Sequence, residues 1–288
     1  MNEIQLNSMQ IEKDTDLYKY STMRTHSRCK VMYFPENIEE LTSLLQKLGE
    51  DCYILGAGSN VVFASMVEKP IVNLMSLNND LNRNSDGAVT AGCSVRIQQL
   101  INFGKEYGLG GFEYLYSLPA SVGGIVYMNA GRGKIHHQQI SDWLESVVYL
   151  DLTDMQVKRM TVNKTQWSYR CSPFHQMKAV IISATFQMKP SSTDEVAAEI
   201  KKRIDTVKAS QEGNKPSCGS VFNKNNKYIM RLLRGKRIGG ACFSKKTNNW
   251  ISNDKNGSAD DVIALIDFAK KWHKILGLSC TTEIRIFK

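Results

Sequence analysis

Apolar residues recur every three or four positions at Ile38, Leu41, Leu44, Leu45 and Leu48, and that spacing predicts a helix. Asn37 stands where an N-cap belongs, with Glu40 three residues on, the order of a capping box. The same period returns at Val196, Ile200, Ile204 and Val207. It returns again from Val262 through Leu265, Ile266, Ala269 and Trp272 to Ile275, after a capping Ser258 and before Gly277. Residues 95–107 read as a further helix, stopped by Gly108. Between these, short apolar runs predict strands at 28–34, 52–55, 61–63, 71–74, 88–91, 147–152, 179–188 and 281–287. Residues 1–20 follow neither period and predict a weakly ordered lead-in. Lys189-Pro190-Ser191-Ser192 interrupts the pattern. The reading is an α+β fold with two domains, 1–189 and 190–288.

Composition narrows the class. A length of 288 residues accommodates two domains, and 42% hydrophobic with 23% charged residues excludes a disordered or collagen-like chain. No apolar run approaches the roughly 20 residues of a membrane span, and the polar N-terminus has no signal-like core. The chain is therefore expected to be cytoplasmic, with no membrane partner. Seven cysteines without a C-x-x-C pair argue against a disulfide framework or a zinc site. His136 and His137 are adjacent and would point in different directions on a regular element, so no metal is expected. The net charge of +9 suits nucleic acid or small anions. The basic stretch 224–246 lacks aromatic platforms and Arg-Gly repeats, so nucleic acid is not expected there. Its plain alternative is a solvated face.

Candidate chemistry begins at Leu55-Gly56-Ala57-Gly58-Ser59-Asn60. Glycines permit positive φ and let backbone N–H groups close around phosphate oxygens. The stretch is not a G-x-G-x-x-G fingerprint opening a helix, because Val61-Val62-Phe63 reads as strand. Its plain alternative is a tight strand-to-strand turn. A second stretch, Pro119-Ala120-Ser121-Val122-Gly123-Gly124, promises further backbone donors, or else close packing of glycines on a neighbour. Arg170, in Tyr169-Arg170-Cys171-Ser172, offers a planar cationic fork for a carboxylate, or an ordinary surface ion pair. Ser220, in Cys218-Gly219-Ser220-Val221-Phe222, can donate or accept a proton, but it is not in a G-x-S-x-G elbow. Glu283 falls in the predicted last strand, facing either solvent or a cleft.

Taken in order, these pieces resemble the MurB family, the UDP-N-acetylenolpyruvoylglucosamine reductases of peptidoglycan synthesis. The resemblance spans about residues 20–285. Its markers are Tyr20-Ser21-Thr22, the two glycine stretches with Met128-Asn129-Ala130-Gly131, Tyr169-Arg170 with Ser172 and Phe174, residues 218–222, Arg237-Ile238-Gly239-Gly240 and Glu283-Ile284-Arg285. The resemblance implies an FAD-binding domain of the vanillyl-alcohol-oxidase (PCMH) type over 1–189. A smaller substrate domain over 190–288 follows, its last strand returning Glu283 to the active site. It implies NADPH as reductant and a UDP-sugar substrate, in a chain acting as a monomer. It places catalysis on Arg170, Ser220 and Glu283. It places FAD binding on Leu55, Gly56, Ala57, Gly58, Ser59, Asn60 and Val61, on Leu118, Pro119, Ala120, Ser121, Val122, Gly124 and Val126, and on Ile181. Substrate contacts fall on Tyr169, Asn223, Lys227 and Arg237. The compact Cys218–Phe222 region resembles the variety without extra substrate-covering insertions. Against the family pattern, His26-Ser27 replaces a glycine pair, Ser117 and Ala120 stand where glycine is common, and Arg132-Gly133-Lys134 follows the second loop. The segment between Phe222 and Arg237 is short. A paralogue acting on another nucleotide sugar, or a silent flavin-binding relative, are the alternatives.

Overall fold

The apolar period at 38–48 becomes helix α1 (Ile38–Leu48) in the computed structural model, which describes residues 9–132, 137–212, 215–254 and 256–288. Asn37 Oδ1 accepts the Glu40 N–H at 2.9 Å, the bond an N-cap makes. The Glu40 carboxylate reaches the Glu36 N–H at 2.9 Å rather than that of Asn37, so the box is displaced by one residue. The other helices are α2 (Ile97–Glu106), α3 (Val122–Tyr127), α4 (Thr193–Ser210), α5 (Lys227–Leu232) and α6 (Ala259–Ile275). Ser258 and Asp261 close a reciprocal box on α6: Asp261 N–H donates to Ser258 Oγ at 3.1 Å, and Ser258 N–H to Asp261 Oδ2 at 2.9 Å.

Three expectations change. Residues 10–16 are a strand, Gln10–Asp16, paired with Arg28–Phe34, rather than a loose lead-in. Its side chains are mostly exposed, so backbone pairing holds it where no apolar alternation announces it. The predicted last strand divides into Thr281–Thr282 and Arg285–Phe287, with a bend at Glu283 and Ile284. Part of the second glycine stretch is helical, because α3 buries Val122, Ile125 and Val126.

Contacts divide the chain into two discontinuous units. The first joins Met1–Ile11, Tyr33–Ala57 and Ile71–Asp205. It holds an antiparallel five-stranded sheet in the order Gln156–Thr161, Leu144–Asp151, Ala179–Phe186, Val89–Gly92 and Leu81–Arg83. Phe112, Phe186, Val147 and Leu100 pack in its core, together with Val196 and Ile200 from α4. A second core joins Leu41 and Leu44 of α1 to Val72 and Ile182. Beside it, Tyr53–Leu55 runs parallel to Ile71–Asn73, the arrangement a strand–crossover–strand unit requires.

The second unit joins Glu12–Met32, Gly58–Pro70 and Thr206–Lys288. Val61–Phe63 pairs in parallel with Arg285–Phe287, setting Val61 opposite Arg285 and Phe63 opposite Phe287. A three-stranded antiparallel sheet contains Arg237–Ile238, Ala241–Phe243 and Ile251–Asn253. Val62, Phe222, Phe243, Leu265 and Ile284 share one core with residues of α5 and α6. No described helix is long and apolar enough to cross a membrane.

Candidate active site

In the first unit, Leu55 is fully buried at the end of its strand, and Gly56 and Ala57 follow half-buried. A Cβ on Gly56 would lie 3.1 Å from Ser121 Oγ, and one on Gly124 would lie 3.6 Å from the same atom. The two glycine stretches therefore converge on one hydroxyl. Ser121 is 1% exposed and stands at the N-cap of α3, yet its hydroxyl makes no capping bond. The expectation of open donors along the second stretch needs correction. Val122 N–H donates to Val95 O at 2.9 Å, and Gly123 N–H to Cys93 O at 3.0 Å. A Cβ on Gly123 would meet Cys93 Cβ at 3.1 Å, so this glycine serves close packing. Pro119 and Leu118 offer their carbonyls to Arg96 and Gln98. Ala120, Val122, Val126 and Ile181 are core side chains of this unit, with Leu118 packed against them.

Arg170 occupies a tight turn. Ser168 and Cys171 exchange backbone hydrogen bonds at 3.0 Å, leaving Tyr169 and Arg170 at the tip. Arg170 has φ +57°, a left-handed conformation uncommon outside glycine, as strained functional turns often are. Its guanidinium carbon lies 5.4 Å from the centre of the Tyr169 ring. Asn129 anchors the turn: its Nδ2 donates to Ser168 O at 2.8 Å and to Gln139 Oε1 at 3.0 Å. Its Oδ1 accepts the Ser141 N–H at 3.2 Å, and Ser172 Oγ donates to Tyr127 O at 2.6 Å. The stretch after the second glycine loop thus holds the arginine's turn.

In the second unit, Gly58 is packed rather than open. It has φ +68°, and a Cβ would fall 1.9 Å from Tyr20 O. Thr22 N–H donates to Gly58 O at 3.1 Å. Ser21 Oγ donates to Val61 O at 2.6 Å, and the Cys218 thiol to the same carbonyl at 3.1 Å. Ser217 N–H donates to Thr22 O at 3.0 Å. Three motifs far apart in sequence are thereby joined. Desolvation pushes the buried Cys218 thiol up, so it stays neutral and works as a packing group.

The same unit brings together Asn60, Ser220 and Glu283. Asn60 Nδ2 donates to Glu283 O at 3.2 Å, and Arg285 N–H to Asn60 O at 2.9 Å. Glu283 N–H donates to Val221 O at 2.8 Å, beside Ser220. Ser220 is half-buried and bridges to Trp250. Asn249 braces the following residues: its Oδ1 accepts the Phe222 N–H at 2.8 Å, its Nδ2 donates to Phe222 O at 2.7 Å, and its carbonyl accepts the Val221 N–H at 3.0 Å. Asn249 does not stand out in sequence, and Asn129 does so only as part of the Met128–Gly131 marker. Each acts through partners ten to thirty-nine residues away, and both have a left-handed φ, +41° and +60°.

Of the expected substrate contacts, Tyr169 is exposed in the first unit, and Asn223 and Lys227 are exposed in the second. Asn223 accepts a hydrogen bond from Thr281 Oγ1. Arg237 has its fork closed on Asp254, at 2.7 and 2.9 Å. That guanidinium holds the Asp254 carboxyl well below the usual carboxylate range. The short segment before it still forms α5. His26 is exposed and bonds Asp16 at 3.0 Å. His136, Gly133 and Lys134 lie outside the described residues. Among the described residues, no three metal-ligating side chains gather.

A diphosphate suits the first unit's glycine pair. Gly56 and Gly124 both bring bare backbone near a buried hydroxyl with no cap to serve, and a Cβ on Gly56 would close in on it. A family profile described as an FAD binding domain matches residues 29–160. Another, described as the C-terminal domain of UDP-N-acetylenolpyruvoylglucosamine reductase, matches residues 211–287. A protein of that name from Francisella tularensis subsp. tularensis is 32% identical, over 88% of this chain and 92% of its own. One from Anoxybacillus flavithermus is 29% identical, over 98% of this chain and 96% of its own. The crystal structure of UDP-N-acetylenolpyruvylglucosamine reductase (MurB) from Thermus caldophilus shares the fold. It has a TM-score of 0.78 and 23% identity, covering 97% of this chain and all of the other.

Proposed function

The chain belongs to the UDP-N-acetylenolpyruvoylglucosamine reductase (MurB) family, and from that premise we propose that it reduces this substrate to UDP-N-acetylmuramate with FAD and NADPH. It is an oxidoreductase of peptidoglycan synthesis, and so contributes to cell shape and division. It works in the cytoplasm as a monomer. On this reading residues 1–189 carry FAD binding and 190–288 carry substrate binding, a functional division along the sequence that differs from the two contact units.

When bound, FAD reduced by NADPH would supply the hydride for the distal carbon of the enolpyruvyl double bond. The chain's own residues handle charge and protons. Gly56, Ala57 and Gly124 would hold the cofactor's diphosphate through their backbone, with Ser121 and Ser59 as hydroxyl donors. Negative charge builds on the carboxylate side of the enol ether, and the Arg170 fork stabilises it. Glu283 polarises the enolpyruvyl group. Ser220 Oγ delivers a proton to the other carbon. Tyr169, Asn223 and Lys227 contact the nucleotide sugar, while Arg237 supports the domain through Asp254.

The observation that supports this reading is a pair of bonds on Glu283: its carbonyl accepts from Asn60 Nδ2, and its N–H donates to the carbonyl of Val221, the residue after Ser220. Ser220→Ala tests it. Reduction by NADPH should proceed as in the wild type, while reoxidation by the enolpyruvyl substrate should slow by about 10²–10⁴-fold, the range for a lost proton donor. Unchanged reoxidation would remove Ser220 from the mechanism.

A further inference from the structure

Helices α5 and α6 present a surface that the catalytic assignment does not use. They lie side by side, fixed at two points. Asn226 N–H donates to the buried His273 Nε2 at 2.9 Å, and Lys236 Nζ stands 4.9 Å from the Phe268 ring centre. Around this pair several large apolar side chains face solvent: Tyr228 at 65% exposure, Leu232 at 84%, Trp272 at 43%, Ile275 at 60% and Leu276 at 57%. Tyr228 and Leu232 are one turn apart on α5, and Trp272 and Ile275 share a face of α6. The end of α6 is rigid. Leu278 N–H donates to His273 O at 2.8 Å and Gly277 N–H to Lys274 O at 3.1 Å, with Gly277 at φ +64°, the bonding of a Schellman cap. Leu276 and Leu278 therefore stand on a fixed corner.

The segments that carry these residues are basic, with Asp267, one turn before Lys271, the acidic neighbour on α6. Residues 222–237 and 268–280 contain no Asp or Glu. Arg231, Lys271 and Lys274 are exposed, and among the described residues none of the three makes an ion pair. A second copy would meet this face with the same charge and be repelled. A small nucleotide has no use for five protruding apolar side chains. Exposed Leu, Ile and Trp among Lys and Arg match an anionic bilayer, whose headgroups attract the cations while the apolar side chains enter the acyl boundary. A spanning helix is one mode of membrane contact, and a peripheral surface is another.

We propose that the α5–α6 face, carrying Leu232, Trp272 and Ile275 among Arg231, Lys271 and Lys274, docks the protein on an anionic lipid surface. The test is co-sedimentation of the flavin-loaded full chain with phosphatidylglycerol-containing and pure phosphatidylcholine vesicles. Substrate turnover is measured in parallel. Binding should favour the anionic vesicles at least about tenfold and weaken as salt rises. Leu232→Ser/Ile275→Ser should lower it about tenfold or more, and Lys271→Gln/Lys274→Gln by a similar factor, with turnover in solution unchanged. Trp272 emission should shift to the blue on binding, and Trp272→Phe should abolish the shift. Equal binding to both vesicle types would overturn the proposal. So would anionic binding indifferent to the Leu232 and Ile275 changes, since a bare basic patch or a site for an acidic protein would give that result. Failure of the reductase reading would appear only in the turnover arm.

Discussion

Gly56 and Gly58 sit two residues apart in one motif and do different work. Gly58 is left-handed, and its missing Cβ makes room for the Tyr20 carbonyl. Gly56 faces only the Ser121 hydroxyl. Gly58→Ala should therefore cost more than about 2 kcal/mol, combining a left-handed alanine with backbone overlap. Gly56→Ala should leave the urea midpoint nearly in place and weaken flavin retention. A Gly58→Ala protein as stable as the wild type would contradict the packing account. Asn129 is a positioning residue for Arg170. Asn129→Ala should slow substrate-driven reoxidation by about tenfold or more, as small displacements of a charged group do, while NADPH reduction stays unchanged. Rapid-mixing measurement of the two half-reactions separates these effects. Type and order single out Arg170, Ser220 and Glu283 as the proposed catalytic residues. Asn249 is not singled out, and the marker that contains Asn129 does not show its partners, because both act through carbonyls and amides that sequence spacing does not bring near.

At the level of elements, caps and periods carried the reading well. Asn37 and Ser258 cap the helices they were expected to cap, because a capping bond is local. The strands Gln10–Asp16 and Gln156–Thr161 escaped notice, since mostly exposed edge strands need no apolar alternation. The sheet of the second unit adds a pH prediction. Arg237 and Lys215 both hold the Asp254 carboxylate, whose side chain is 11% exposed. Its folded pKa lies below the unfolded value of about 4. The resulting stabilisation is complete above that unfolded value and is lost as pH falls through the folded one. Urea midpoints at pH 7 and pH 3 should therefore differ more for the wild type than for Asp254→Asn. Equal differences would show that the pair contributes nothing to acid stability.

At the scale of the molecule, the sequence suggested a boundary near residue 190, while contacts group 12–32 and 58–70 with the chain after 205. The parallel pairing of 61–63 with 285–287 lies behind this grouping, and no local pattern encodes a pairing across more than two hundred residues. The α+β class was readable because it depends on local periods. The discontinuous assembly was not, because it depends on which strands meet. It also explains why the family's motifs are scattered: Tyr20–Thr22, Gly58–Asn60, Cys218–Phe222 and Glu283 belong to one hydrogen-bonded unit. The central claim is that the chain is a flavin-dependent reductase of UDP-N-acetylenolpyruvoylglucosamine. The most direct measurement is anaerobic. The flavin-loaded protein is bleached with one equivalent of NADPH and then mixed with UDP-N-acetylenolpyruvoylglucosamine. Full return of the oxidised flavin spectrum, with stoichiometric UDP-N-acetylmuramate, is the predicted result. A spectrum that stays bleached after the substrate is added would contradict the account.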